Sequence, residues 1–209
     1  MLVPFTGFTA DDFAGFTLPG FEERMAFVKA GPRVQLAALG QELAPFLTEL
    51  TGQPVYPMTA KHMRRKVNPP KDTWVAWSPN KRGYKMLPHF QVGLWHTHAF
   101  IQAGVIYEAP AKPAFGMRLL ESGERLAASL PAGYRWLEDS TQPEGILNSR
   151  VTADDIARIG TRLMNRKDAD CMVGLSVPAA EAVRLGAGFA DLAREVMGRL
   201  LPIYRLGEV

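Results

Sequence analysis

The sequence predicts an α+β domain in which helices pack against a central antiparallel sheet. Three observations point there. Apolar residues recur at helical spacing near both ends of the chain. Between residues 55 and 108 that spacing disappears while tryptophan, tyrosine and valine accumulate, and Asn68-Pro69-Pro70 and Ser78-Pro79-Asn80 cut the stretch into short pieces. Helices and strands interleave without a long linker, so one domain over residues 1–209 is expected.

Thr9 with Asp12 three residues on reads as the start of a short helix. A second helix covers 21–30 and ends at Gly31-Pro32, where Pro32 opens a third. In that third helix Leu36, Leu39, Leu43, Phe46, Leu47 and Leu50 share a face; Pro45 should kink it or end it early, and Thr51-Gly52 is the expected stop. An antiparallel meander of about four strands follows over 55–108. Then come a helix over 114–130, a short strand around 134–137, and a helix from Thr152 with Ile156, Ile159 and Leu163 inward. A strand over 170–177 and a last helix over 189–201 complete the reading. Thr9-Ala10-Asp11-Asp12 recurs as Thr152-Ala153-Asp154-Asp155, but only the helix-capping residues repeat, so capping chemistry explains the likeness without a duplication.

With 47% hydrophobic and 22% charged residues, the chain can build an ordinary core. Its longest nearly apolar run, 99–107, is broken by Gln102 and falls far short of the ~20 residues of a membrane span. The start has no basic segment followed by a long apolar one, and Cys171 is the lone cysteine. A cytoplasmic protein with no membrane partner is expected. The net charge of +3 hides an asymmetry: residues 61–85 carry eight cations against Asp72 alone, while the remainder is net acidic. Such a field favours an anionic partner.

The segment 89–107 is the most informative. Phe90, Val92 and Leu94 alternate with His89, Gln91, Gly93 and Trp95; beyond His96-Thr97, Ala99, Ile101, Ala103 and Val105 alternate with His98, Phe100, Gln102 and Gly104. A hairpin with an even loop sets 90 against 103, 92 against 101 and 94 against 99 on one apolar face. The other face then pairs Trp95 with His98, Gly93 with Phe100, Gln91 with Gln102 and His89 with Gly104. Either Gly93 leaves room for a ligand on that face, or Phe100 covers the gap and a helix lies over the whole surface.

Among chemistries, metal binding is weak and no metal site is expected. All four histidines (62, 89, 96, 98) fall in this region, but His89 lies about 20 Å from the Trp95–His98 pair at ~3.4 Å per residue, too far to share an ion. No nucleophile elbow or phosphate-cradling glycine loop occurs, and Cys171 sits in an apolar run. Paired acids stand at helix starts, where they serve the dipole. Anion recognition has the better case. Lys61, His62, Arg64 and Arg65 form a run with no apolar alternation, and Asn68 follows. Lys81, Arg82, Tyr84 and Lys85 surround Gly83, whose freedom at positive φ would expose amides beside cations. Trp74, Trp77 and Tyr84 lie among the charges and offer stacking surfaces of the kind nucleotides and single strands use. Gln91, Gln102, His89 and His98 of the hairpin's polar face complete the candidate ligand-binding set.

The blocks Ala60-Lys61-His62-Met63-Arg64-Arg65, Val67-Asn68-Pro69-Pro70, Asp72-Thr73-Trp74, Lys81-Arg82-Gly83-Tyr84-Lys85, Pro88-His89-Phe90-Gln91-Val92-Gly93-Leu94 and Ile106-Tyr107-Glu108-Ala109-Pro110 resemble the YktB-like family of uncharacterised bacterial proteins. Phe16-Thr17-Leu18-Pro19-Gly20-Phe21-Glu22-Glu23-Arg24-Met25 is similar too, so the resemblance runs over most of the chain. It implies a compact α+β domain near the TATA-binding-protein-like fold and carries over no catalytic residues or cofactor, since the family has no assigned activity. In the family pattern His62, His89 and His98 have counterparts, whereas an acid stands where this sequence has His96, which weakens the His-x-His reading. The sequence therefore leads to a binding module for an anionic small molecule or nucleic acid. The alternatives are a histidine-using hydrolase, with or without a metal, and a sheet face that docks another chain.

Overall fold

Two helix starts in this chain are set by side-chain caps, and they are near copies. The computed structural model describes residues 4–63 and 66–208, which leaves Arg64 and Arg65 of the basic block outside the described residues. In it Thr9 caps α1 (Ala10–Ala14) and Thr152 caps α5 (Ala153–Asn165), each in a reciprocal capping box with the acid three residues on. Asp12 accepts from the Thr9 amide at 2.8 Å and Asp155 from the Thr152 amide at 3.0 Å. The repeated tetrapeptide is thus the same local solution used twice.

α2 (Phe21–Ala30) and α3 (Pro32–Thr51) meet at Gly31, and Gly52 closes α3 in the left-handed conformation, as the sequence predicts. Pro45 neither ends nor divides α3. Proline removes one backbone bond at a cost of about 3 kcal/mol, but Leu47 beyond it is fully buried along with Leu36, Leu39 and Leu43. That stripe, packed on the sheet, holds the helix through the defect. α7 (Phe189–Arg205) does the same at Pro202 and runs past the expected end at 201. Ile203 and Tyr204 beyond it are buried, and Tyr204 stacks on Phe90 with ring centroids 4.7 Å apart. α4 (Lys112–Ser129) starts two residues earlier than expected, with Pro113 in its first turn. The buried Lys112 ammonium donates to the carbonyls of Arg166 (3.0 Å) and Lys167 (2.7 Å), just past the end of α5.

The meander is present as β1 (Tyr56–Thr59), β2 (Asp72–Ser78), β3 (His89–Trp95) and β4 (His98–Val105). With β5 (Arg135–Leu137), β6 (Ile146–Leu147) and β7 (Cys171–Pro178) it makes a seven-stranded antiparallel sheet in the order β1-β2-β3-β4-β7-β5-β6. The β3–β4 register is the predicted one, with Phe90 opposite Ala103, Val92 opposite Ile101 and Leu94 opposite Ala99. The two-residue strand β6 and the seven-residue helix α6 (Ala179–Leu185) carry no periodic signal and go unread in the sequence.

Among the described residues all seven α-helices contribute to one core, which takes the Phe90/Val92/Leu94 face of the sheet. The opposite face has a small cluster of its own, Ala76, Tyr84, Ile106, Leu137 and Met172 with Met58 and Trp74, in which no residue is helical. The fold is therefore a sheet with helices on one side and loops on the other. Among the described residues no helix is long and apolar enough to cross a membrane.

Candidate functional site

The loop-covered face is an ordered lattice. Pairing sets Trp74, Gly93, Phe100 and Ser176 in one row across four strands, and Ala76, Gln91, Gln102, Gly174 and Arg135 in the next. A methyl group on Gly93 would lie 2.3 Å from the Phe100 ring and 2.5 Å from the Thr73 carbonyl. Phe100 thus fills the gap that glycine leaves, and the free space lies beside it. A cavity of about 190 Å³ opens there between the sheet and four loops. Trp74, Trp95 and Phe100 provide aromatic walls and Gln91 an amide, while Lys71, Lys85 and Tyr107 come from the loops.

Side-chain bonds hold these walls. The Trp74 indole N–H donates to the Tyr84 hydroxyl at 2.7 Å, and burial pushes the Tyr84 phenol up to about 12, so it keeps its proton. Gln91 donates its amide to Gln102 at 3.0 Å across the β3–β4 pair. Buried Asp170 accepts from the amides of Tyr107 and Ser140 (2.9 Å for the latter) and from the Ser140 hydroxyl, so one carboxylate ties the 106–110 and 138–145 loops together over the sheet. Beneath them His89 is wholly buried. Its Nδ1 faces the Leu87 carbonyl at 2.9 Å; a carbonyl can only accept, so Nδ1 carries the proton and Nε2 is left as a buried, unpartnered acceptor. Burial lowers this imidazole to about 4, with Lys85 adding to the effect against the Leu87 bond.

The predicted site residues fall into distinct places. Trp74, Tyr84, Lys85 and Gln91 line the cavity, and Gln102 supports it from the next strand. His62 stands edge-on to Trp74 at 5.5 Å, with Nε2 3.1 Å from the Thr73 hydroxyl. Lys61 and Asn68 are exposed on the preceding loop. Lys81 lies 4.9 Å over the Tyr56 ring, and the exposed Arg82 sits in a turn closed by Asn80. Lys85 pairs with Glu108 at 3.0 Å. His98 lines a second cavity with Arg135 and Ser176.

Two expectations need correction. Trp77 is sealed on the helix face, its indole bonded to the Gly40 carbonyl at 2.8 Å, because a spacing of three in a strand sends Trp74 and Trp77 to opposite sides. Gly83 does not adopt positive φ; among the described residues the non-glycine residue that does is His62, at 52°. The four histidines have different partners: Thr73 for His62, Leu87 for His89, Phe13 for His96 and Thr97 for His98. Among the described residues no three His, Cys, Asp or Glu side chains cluster so as to hold a metal ion. Burial drives the Cys171 thiol strongly upward, which leaves it inert as a nucleophile.

A family model described as a domain of unknown function, DUF1054, matches residues 8–204. The chain belongs to the DUF1054 family. It is similar to a UPF0637 protein of Bacillus mycoides at 42% identity over 200 residues, covering 95% of this chain and 96% of the relative. UPF0637 proteins of Bacillus cytotoxicus and Bacillus anthracis match at the same identity and coverage.

In this DUF1054 protein the sequence reasoning missed Ser140 and Thr141, which line the first cavity, and Arg135, Glu144 and Ser176, which line the second. Ser176 and Arg135 had a signal, since strand alternation places them on the face of Phe100 and Gln102 once the β4–β7–β5 order is known. The 138–145 loop had none, because its position depends on Asp170, thirty residues from Ser140.

Proposed function

We propose that this DUF1054 protein is a binding module for a nucleotide unit, with the base in the loop-roofed cavity and the phosphate at Lys71 and Lys85. The observation that carries the reading is the meeting of a half-buried indole, an amide and two lysines in one cavity of about 190 Å³. That volume is below the roughly 300–1,000 Å³ of pockets for drug-sized ligands, so it suits one planar ring system. Trp74 and Trp95 offer stacking surfaces, worth about 1–3 kcal/mol per base. Gln91 offers an amide to a base edge. Lys71 forms no ion pair among the described residues, whereas the charge of Lys85 is shared with Glu108.

Titration with adenosine monophosphate, followed by tryptophan emission, tests this. Binding should weaken as salt rises from about 50 to 200 mM, and Trp74→Ala should weaken it by about 5- to 150-fold, the equivalent of one stacked base. Absence of binding at low salt, or a Trp74→Ala variant that binds normally, would overturn the reading.

A further inference from the structure

The second cavity neighbours the first along the loop side of the sheet. Thr97, His98, Arg135, Glu144 and Ser176 line a space of about 360 Å³ together with Gly133 and two prolines. Ser176 is the strand partner of Phe100, which walls the first cavity. His98 is the next-but-one residue to Phe100 along β4, about 7 Å away at ~3.4 Å per residue and on the same face. The 138–145 loop reaches both spaces, with Ser140 and Thr141 at the first and Pro143 and Glu144 at the second. The two cavities are neighbouring stations on one loop-covered sheet face.

The second station is equipped for an anion. Arg135 uses one N–H on the Gly145 carbonyl at 3.0 Å, which aims a fork with further donors into the space. Among the described residues it forms no ion pair, in contrast to Arg158, Arg162, Arg184, Arg194 and Arg199, which neighbouring carboxylates neutralise. His98 has its Nδ1 fixed by the Thr97 hydroxyl at 2.8 Å, leaving Nε2 as the atom to meet a ligand. The half-buried Ser176 adds a hydroxyl. Glu144 is the opposing group, and its exposed carboxylate sets the side from which an anion is repelled.

We propose that Arg135, His98 and Ser176 form a second phosphate subsite, so that the ligand of the loop-covered face is a chain of at least two nucleotide units and not a mononucleotide. The chain reading rests on the nucleotide function proposed above; the subsite itself does not. A phosphate seated there accepts hydrogen bonds from the guanidinium, the imidazole and the hydroxyl, and no covalent step is involved.

Two probes separate the claims. Inorganic phosphate, which needs no base pocket, is titrated while the His98 ring is followed by NMR across pH. The groups facing His98 are Arg135, Glu144 and the hydroxyls of Thr97 and Ser176. Phosphate should raise the titration midpoint of His98, and Arg135→Gln should abolish the rise while Trp74→Ala leaves it intact. No rise overturns the subsite, whatever a nucleotide does at the first cavity. The second probe compares adenosine monophosphate with a 5′-phosphorylated adenine dinucleotide. The dinucleotide should bind more tightly, and Arg135→Gln or His98→Gln should weaken it about tenfold or more while leaving the mononucleotide unchanged. Glu144→Gln should tighten it. Equal affinities, or equal loss for both ligands, overturn the chain reading; failure of both ligands to bind with the His98 shift intact would count against the nucleotide function alone.

Discussion

The two faces of the sheet obey different rules although they share the same strands. On the helix side Phe90, Val92, Leu94 and Ile101 are fully buried in the helix-packed core, and these positions are apolar packing. On the loop side the intervening residues are Gln91, Gly93, Trp95 and Phe100, and the cover consists of loops held by a few directed bonds. One face stores stability in area. The other stores it in hydrogen bonds that leave polar groups and aromatic edges at a cavity. Substitutions on the two faces should therefore separate stability from binding.

The largest effect belongs to the helix side. Phe90→Ala removes the ring stacked on Tyr204 and leaves a hole in a sealed core, which should cost about 3–5 kcal/mol. Urea unfolding measures this; a loss below 1 kcal/mol would mean that the helix layer can collapse onto the sheet. Ligand affinity of the folded variant should be nearly unchanged, because the first cavity lies on the far side of the strand.

The next effect is the pH response of His89 beneath the loops. Its folded-state pKa is lowered to about 4, so the unfolded chain takes up the proton first as pH falls. The stabilisation is fully present above about 6.5 and is lost between there and about 4, amounting to about 3 kcal/mol at most. Comparing urea midpoints at neutral and acid pH for the wild type and His89→Gln checks it. The acid-induced loss should shrink in the variant, and an identical loss would assign acid sensitivity elsewhere.

Third comes Asp170, which holds two loops at once through Tyr107 and Ser140. Asp170→Ala strands buried donors and should cost about 1–3 kcal/mol. Unlike Phe90→Ala it should also weaken ligand binding, since the walls carrying Tyr107 and Thr141 lose their tie. Calorimetry on the folded variant decides whether stability and affinity fall together.

How much of this was legible in the sequence follows the same division. The β3–β4 register and the helix starts at Thr9 and Thr152 are local patterns, and periodicity or a capping box reads them directly. The helices run on through Pro45 and Pro202 because tertiary burial of Leu47 and Tyr204 outweighs a local penalty, which local patterns do not show. The basic block was visible as charge. Its division into Lys71 and Lys85 at a cavity, Lys81 on Tyr56, and Trp77 in the core depends on strand orientation and on loops joined across the chain. Ser140 and Glu144 could not be found at all, since nothing near them in sequence says which sheet face their loop crosses.

The smallest effect tests the loop side most finely. Tyr84→Phe removes the hydroxyl that accepts from the Trp74 indole and changes little else in volume. The lost bond is worth about 1 kcal/mol, so urea unfolding should move only slightly. Trp74, however, is the stacking wall of the proposed base site, and without its partner the indole is free to turn. Its emission should shift and ligand affinity should fall by more than the stability loss alone accounts for. A variant with unchanged emission and affinity would mean that the wall is held by packing against His62 and the sheet, and that the loop side is more like the helix side than its sparse bonding suggests.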